Sequence, residues 1–468
     1  MARKKKTIKS VTITGIADKG KAVGRADDGR VVFVQDVVPG DVVDVLVLRK
    51  KKGVMQGVPT AFHHYSKERI LPLCEHFGVC GGCKWQHFTY SGQIANKEQV
   101  VRDAIQRIAK VQAQEFLPIL GAESVKDYRN KMEFTFSNKR WLTREELDSD
   151  ISNIEDVLGF HRAGAFDKIV NIQHCQIQGG AANGIRNGLR EIAISQDLDF
   201  FDIRQKEGYL RNVVIRNSTI GEVMVLFSFH YEDQMQRERY LEEVLRRFPQ
   251  ITSLYYCINP KVNDFILDLE MVNYYGPGYI EEMLGEVRFR IGPKSFFQTN
   301  TRQAVRLFNV VRDFAGLSGE ENVYDLYTGI GSIALYLAKS CKQVVGIEEV
   351  GLAIEDAKIN AQLNEAKNTI FYAGDVKDIL TKAFAEQHGR PDVLITDPPR
   401  AGMHKEVVSM LLELESPKVV YVSCNPATQA RDIQLLNQKY DLLKIQPVDM
   451  FPHTHHIESV ALLGLRTN

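Results

Sequence analysis

The sequence has no apolar run approaching the roughly 18 residues that a membrane-spanning helix requires. It starts Met1-Ala2-Arg3-Lys4-Lys5-Lys6, yet no apolar stretch follows that basic start, so a secretory signal is not expected. Both absences point to a cytoplasmic protein without a membrane partner. A paired set of cysteines is lacking too: there are seven, at positions 74, 80, 83, 175, 257, 341 and 424. An odd number of thiols in a reducing compartment asks for metal or catalytic roles rather than disulfides. Internal repeats are absent, and no obligate protein partner is evident, so a monomer is expected. Net charge is absent as well, at +0 over 468 residues.

That zero conceals an asymmetry. Residues 1–65 hold 13 Lys and Arg against six Asp and Glu, which leaves the remainder acidic. The basic residues continue past the terminus through Lys19, Lys21, Arg25 and Arg30 and return at Arg49-Lys50-Lys51-Lys52. A solubilising tail does not need that continuation, whereas binding a polyanion does. In the same stretch, apolar segments at 11–16, 31–34 and 42–48 are separated by Asp28-Gly29 and Pro39-Gly40-Asp41. Short strands and tight turns of this kind predict a small all-β barrel, an architecture common among oligonucleotide-binding modules.

The length predicts two or three domains. We place them at 1–66 (the barrel), 67–285 (a central α+β domain) and 286–468 (an α/β domain). In the central region, strands are expected at 131–137, 212–216 and 223–229 and helices at 180–194 and 234–248. A helix from Gln93 to Val111 puts Ile94, Val101, Ile105 and Ile108 on one face. Beyond about residue 305, strands and helices alternate. Strands are expected at 322–326, 343–347, 369–373, 393–397, 419–423 and 460–465, with helices at 333–338, 352–363 and 407–414. This rhythm predicts a doubly wound, Rossmann-like, mostly parallel sheet.

The C-terminal region carries the chemistry. Val323-Tyr324-Asp325-Leu326-Tyr327-Thr328-Gly329-Ile330-Gly331-Ser332-Ile333-Ala334 reads as a strand, a glycine turn and a helix. Gly329 and Gly331 let the backbone approach a ligand closely at the carboxyl edge of the sheet. Glu348, at the end of the next strand, is placed to accept hydrogen bonds from ribose hydroxyls. The turn also fits a loose dinucleotide fingerprint, which leaves NAD open. The polar residues ending the other strands favour S-adenosylmethionine. Asp325 precedes the turn, Asp375 ends the third strand and Asp397-Pro398-Pro399-Arg400 ends the fourth. An Asp-Pro-Pro turn after a strand is typical of methyltransferases that act on nucleobases.

Val420-Tyr421-Val422-Ser423-Cys424-Asn425-Pro426 then sets a cysteine just past a buried strand. A small core residue is one reading of Cys424; a nucleophile beside the cofactor crevice is the other. Carbon 5 of uracil is a poor nucleophile until a thiolate adds at carbon 6, and a base must later take the proton from carbon 5. An ordinary thiol is only about 3% ionised at neutral pH, so Cys424 needs a helpful neighbour, for which Arg400 is the candidate. Glu458, entering the last strand, is the candidate base. His453, His455 and His456 would need a further ligand to hold Zn, and no metal is expected there. A separate set, Cys74, Cys80 and Cys83 in a glycine loop plus remote Cys175, suits either Zn or a [4Fe–4S] cluster. Its spacing leans toward iron–sulfur ligation.

These features together resemble the RNA 5-methyluridine methyltransferases that carry an N-terminal TRAM domain and a [4Fe–4S] cluster, over nearly the whole chain. Gly20-Lys21-Ala22-Val23-Gly24-Arg25, Val32-Phe33-Val34 and Val38-Pro39-Gly40-Asp41 look like TRAM. Cys80-Gly81-Gly82-Cys83-Lys84-Trp85-Gln86-His87 looks like the cluster loop, and Tyr128-Arg129-Asn130-Lys131 and Ser295-Phe296-Phe297-Gln298-Thr299-Asn300 are similar to family stretches. The resemblance implies that Gln298, Tyr327, Ser332, Glu348, Asp375 and Asp397 bind S-adenosylmethionine. By the same carry-over Cys424 is the nucleophile, Glu458 the base, and Cys74, Cys80, Cys83 and Cys175 the cluster ligands. Thr328 and Ser332 depart from the residues frequent in relatives. The family's architecture further implies that the helix after Gly92 packs on the catalytic domain.

The implied partner is RNA, with 23S ribosomal RNA favoured over transfer RNA. Arg129, Lys131 and Arg211 are expected to add phosphate contacts that offset the cost of flipping the target base. A non-catalytic RNA-binding iron–sulfur protein is the rival, against which intact Cys424, Glu458 and Asp397 argue. An NAD-dependent oxidoreductase would have no use for the Asp-Pro-Pro turn and the strand-end cysteine.

Overall fold

The computed structural model describes residues 6–17, 20–51, 53–148 and 155–466. Residues 1–5, Lys19 and Lys52, which belong to the basic set named above, lie outside them. Among the described residues no helix is long and apolar enough to cross a membrane.

The first module is a closed barrel of strands Thr7–Ile16, Ala22–Arg25, Val31–Val34, Val42–Lys51 and Val54–His64. Alternation along the strands turns Val11, Ile13, Val32, Val34, Val43, Val45 and Met55 inward. Buried Asp41 ties the barrel to the chain that leaves it. Its carboxylate accepts from the amides of Val38 (2.8 Å) and Ser66 (2.9 Å) and from the Arg69 guanidinium (2.7 Å).

The central module is a seven-stranded sheet in the order Val272–Tyr275, Ile251–Ile258, Val223–Phe229, Leu210–Asn217, Lys131–Ser137, Val157–Arg162, Ala165–Asn171. Helices Ala182–Ser195 and Gln234–Arg247 bury Ile185, Leu189, Tyr240 and Leu241 in the same core as Phe134, Val213 and Phe227 of the sheet. Arg211 belongs to this interior and is not a phosphate ligand. It is 1% exposed and donates to the carbonyls of Asn259, Lys261 and Asn263 and to the Asp264 carboxylate. A buried guanidinium must satisfy its donors inside the protein, and the loop after Ile258 wraps around it for that purpose.

The third module holds an eight-stranded sheet in the order Thr369–Ala373, Gln343–Glu348, Asn322–Leu326, Val393–Thr396, Lys418–Ser423, Glu458–Leu465, Tyr440–Val448, Glu115–Phe116. The first five run parallel; Glu458–Leu465 is antiparallel to both its neighbours. The inner parallel strands are mainly apolar because helices cover both faces: Thr301–Ala315 packs on one, and Lys405–Leu414 with Pro426–Leu436 on the other. The fold is therefore mixed α/β with a Rossmann-like sheet at its C-terminal end. The hairpin Ile280–Leu284/Val287–Ile291 spans the boundary expected at 285/286. It buries Ile280, Leu284, Phe289 and Ile291 in the core of this third module.

Helix Tyr90–Ala104 also packs on this module although it precedes the central sheet in sequence. Val101, Ala104, Ile105 and Ala109 share a cluster with Ala430, Ile433 and Ile445. Ile108, expected on that face, is 38% exposed. The cause is a π-turn at Ile105–Ala109, where the extra residue per turn rotates Ile108 outward and brings Ala109 into the contact. The same helix buries Lys97, 1% exposed, which pairs with fully buried Asp449 at 2.6 Å. Removing one partner of such a pair costs about 3–5 kcal/mol, so the docking is strongly specified.

Candidate active site

The carboxyl ends of the parallel strands converge where the sheet order reverses, as expected for a ligand crevice in an open α/β sheet. The strand Asn322–Leu326 runs into a turn with three left-handed residues: Tyr327 (φ 65°), Gly329 (φ 58°) and Gly331 (φ 80°). That conformation costs a tyrosine about 1–2 kcal/mol, which the surroundings of Tyr327 must offset. A side chain at Gly329 would meet open space, so the peptide there faces the crevice bare. The Gly331 position is closed in instead, by Leu335, Phe371 and Ala357.

Glu348 holds the turn from the next strand. Its Oε2 accepts from the Gly329 amide at 3.1 Å and its Oε1 from the Val350 amide at 3.0 Å. Each oxygen keeps a lone pair for further donors such as ribose hydroxyls. Ser332 opens the helix Ser332–Leu337 behind the turn and is half-buried. Asp325, 1% exposed, anchors it from below by accepting from the Thr328 hydroxyl (2.5 Å) and the Ala334 amide (3.1 Å). Thr328 thus has a structural task of its own. Asp375 lies two residues past its strand and caps the short helix Val376–Ile379. An ion pair with Lys377 keeps its carboxyl below the ordinary range. Gln298 is half-buried, and its carbonyl accepts from the Asn130 side chain at 2.9 Å, linking the central module to the crevice.

Cys424 and Glu458 come together through strand register. Ser423 pairs with Ser459 in the antiparallel ladder, so Cys424 and Glu458 are the next facing positions at its end. Glu458 is 6% exposed, while Cys424 and Asp397 are half-buried. Burial pushes the Cys424 thiol up to about 11, the carboxylates of Glu458 and Asp397 add to the rise, and hydrogen-bonded Arg400 opposes it. Burial likewise raises Glu458 well above the carboxylate range, with Asp397 adding to it and Arg400 opposing. Asp397 is raised to about 7 by burial and by Asp325. Burial, reinforced by His455 and Arg400, brings His456, next to Arg400, down to about 4 and keeps it neutral. The cluster thus brings a thiol, a carboxylate with raised proton affinity and the Arg400 cation together at the ends of neighbouring strands.

Asn425 begins the helix Pro426–Leu436, accepting from the Ala427 amide while its Nδ2 donates to the Arg400 carbonyl at 2.9 Å. The Asp-Pro-Pro-Arg turn and the cysteine turn are therefore fastened to each other.

Cys74, Cys80, Cys83 and Cys175 line one cavity of about 490 Å³, together with Arg129, Lys131, Phe296, Phe297 and His456. Burial raises Cys80 to about 11 and Cys83 to about 12, and the neighbouring thiols push each further. Among the described residues no three His, Cys, Asp or Glu are gathered closely enough to hold a single metal ion. A tetrahedral Zn ion with bonds of roughly 2.3 Å needs its thiolates nearly in contact. Four soft thiol donors around one cavity suit either Zn or an iron–sulfur cluster.

Sequence reasoning missed the buried pair of Lys97 and Asp449 and weighed His453 only as a metal ligand. His453, buried at φ 64°, accepts at its carbonyl from the amides of Lys84 and Trp85, and its own amide donates to Gln93. Gln93, Lys97 and Val101 stand four residues apart on one helix face, so polar residues inside an apolar stripe were the available signal.

Comparison with known proteins agrees with this geometry. The family model for tRNA (uracil-5-)-methyltransferase matches residues 278–466, and the TRAM domain model matches residues 3–59. An uncharacterized RNA methyltransferase of Bacteroides thetaiotaomicron is 51% identical over 96% of this chain and 100% of its own. One from Porphyromonas gingivalis is also 51% identical, over 97% and 99%. The tRNA (uracil-54, C5)-methyltransferase of Pyrococcus abyssi, crystallised with S-adenosyl-L-homocysteine, superposes with a TM-score of 0.74 at 28% identity. That match covers 97% of this chain and 99% of the other. The chain accordingly belongs to the tRNA (uracil-5-)-methyltransferase family of S-adenosylmethionine-dependent RNA methyltransferases and carries a TRAM domain at its N-terminal end.

Proposed function

We propose that the chain methylates carbon 5 of one uridine in 23S ribosomal RNA through a covalent bond between Cys424 and carbon 6 of the base, and that it does so in the cytoplasm. The observation that carries this reading is the facing of Cys424 and Glu458 at the end of one ladder, with Asp397 and Arg400 beside them. When bound, S-adenosylmethionine supplies a methyl group on a sulfonium. Glu348 would take its ribose hydroxyls, and Gln298, Tyr327, Ser332, Asp375 and Asp397 would complete its pocket.

Arg400 favours the Cys424 thiolate, which forms the sulfur–carbon 6 bond and sends the double-bond pair of the ring into an enolate. Carbon 5 then takes the methyl group. Glu458 accepts the proton from carbon 5, the ring double bond re-forms, and the Cys424 sulfur departs as thiolate. A buried carboxylate with raised proton affinity suits that abstraction. We further propose that Cys74, Cys80, Cys83 and Cys175 hold a [4Fe–4S] cluster that fastens the loop to the central sheet. Iron and sulfide analysis of anaerobically purified protein tests this.

Transfer RNA is the second reading, favoured by the match to the Pyrococcus enzyme. Incubation with labelled S-adenosylmethionine and total RNA from a strain lacking the enzyme, followed by mapping of the labelled uridine, separates the two. Label on a base other than uracil, or at wild-type rate with Cys424→Ala, would overturn the mechanism.

A further inference from the structure

Residues 449–457 form the connection between the strand Tyr440–Val448 and the strand that begins at Glu458, and Val448 is the ladder partner of Glu458. Groups from several distant parts of the chain fix this short connection, Asn300 among them, which donates to the Met450 carbonyl at 3.0 Å. The Lys97 ammonium donates to the Asp449 carboxylate at 2.6 Å and to the Phe451 carbonyl at 3.0 Å. Tyr90 donates to the other Asp449 oxygen at 3.0 Å, and Tyr128 donates to the Pro452 carbonyl at 2.9 Å. The amides of Lys84 and Trp85, immediately after Cys83, donate to the His453 carbonyl at 2.8 and 3.1 Å.

We infer that Lys97 is a positioning residue for proton abstraction: its buried pair with Asp449 sets the path of residues 449–457 and so places the Glu458 carboxyl against the Cys424 adduct. The inference rests on the reading of Glu458 as the base. Asp449 directly follows the ladder partner of Glu458, so a shift at Asp449 moves both strand ends at which the carboxyl is held. Cys424 is on the far side of the Glu458 strand, in the turn after Lys418–Ser423, and makes none of these contacts. The pair therefore bears on the second half of the reaction and not on thiolate attack.

The two halves are separable with 5-fluorouridine RNA, whose carbon 5 carries no proton to remove, so attack and methylation proceed and the adduct stays. The double substitution Lys97→Met/Asp449→Leu removes both charges without leaving either one buried alone. It is expected to bind S-adenosylhomocysteine and trap 5-fluorouridine RNA as the parent does. On ordinary RNA its turnover should fall by about tenfold or more, with the covalent adduct accumulating. Lys97→Gln/Asp449→Asn, which keeps neutral hydrogen-bonding groups at both positions, should show the same pattern more weakly and serves if the apolar double variant fails to fold. Parental turnover in either variant, or an equal fall in trapping and turnover, would overturn the assignment. Glu458→Gln is the control for the underlying reading: absence of adduct on ordinary RNA in that variant removes Glu458 as base, whatever Lys97 does.

Discussion

The amide of Gly329 donates to the Glu348 carboxylate at 3.1 Å, tying the turn after one strand to the end of its parallel neighbour. This bond orients the carboxylate toward the crevice while leaving oxygen lone pairs free for a diol. It also explains why the spacing between the glycine turn and the acidic residue matters: the two adjoining strand ends must finish level, as Leu326 and Ile347 do.

Glu348→Ala should therefore weaken S-adenosylhomocysteine binding by about 10- to 100-fold, the equivalent of one or two hydrogen bonds to a charged group. Titration calorimetry reads this directly. Parental affinity would remove Glu348 from the cofactor pocket.

Much of the third module was readable from sequence because its inner strands are buried on both faces and stand out as apolar runs. Asn322–Leu326 and Thr369–Ala373 begin and end where the periodicity places them. The strand Tyr440–Val448 was not found, since Lys444, Gln446 and Pro447 interrupt its apolar pattern at a partly covered position. The helix Pro426–Leu436 was hidden by Gln429 and Asp432, polar residues that are buried because they satisfy the Tyr421 carbonyl and hydroxyl respectively. Cys424 and Glu458 stood out by residue type, but their facing depends on a ladder register that no local pattern encodes. Arg211 was misread for the opposite reason. Its charge suggested phosphate, while its four internal acceptors lie some fifty residues downstream.

The Cys424 thiol, raised to about 11 mainly by burial, is almost wholly protonated at neutral pH. Formation of the adduct with 5-fluorouridine RNA should thus accelerate with pH, about tenfold per unit between roughly pH 6 and 9 until another step limits it. Arg400→Gln removes the one cation that opposes the rise and should slow the step by about tenfold at pH 7, with recovery at higher pH. Rapid-quench trapping across pH measures both. A flat profile would mean that the thiol loses its proton by a route these groups do not control.

Asp41 supplies a stability test with a definite sign. Burial alone would raise its carboxyl, but Arg69 and the amides of Ser66 and Val38 outweigh that and hold it below the ordinary 3.8. A depressed carboxylate contributes stability that is fully present above the unfolded value and is lost as pH falls through the folded one. Asp41→Asn should cost about 1–3 kcal/mol at pH 7. The gap in Tm from the parent should close as pH drops below about 4. Calorimetry that shows a constant gap would discount the charge.

Arg211→Met should act on the fold, not on RNA. Losing donors to three carbonyls of the loop after Ile258 should cost about 2–3 kcal/mol. The salt dependence of RNA affinity should stay as it is, because the guanidinium is sealed inside. A reduced salt slope with unchanged Tm would return Arg211 to the RNA face.

The barrel offers the better place to look for phosphate contacts. Lys21 and Arg49 line a small cavity together with Phe33, Gln35 and Gln56, a combination of cations and a ring that suits a single-stranded backbone and its bases. Each contact to a single strand adds about 0.7 to the slope of log affinity against log salt. Lys21→Ala/Arg49→Ala should therefore lower that slope by about 1.4 and weaken binding similarly across RNA sequences, since phosphate contacts position without reading bases. Binding of S-adenosylhomocysteine, proposed for the crevice at Gly329 and Glu348, should not change. Filter binding over a range of salt concentrations decides the matter: an unchanged slope places the RNA on another face of the barrel.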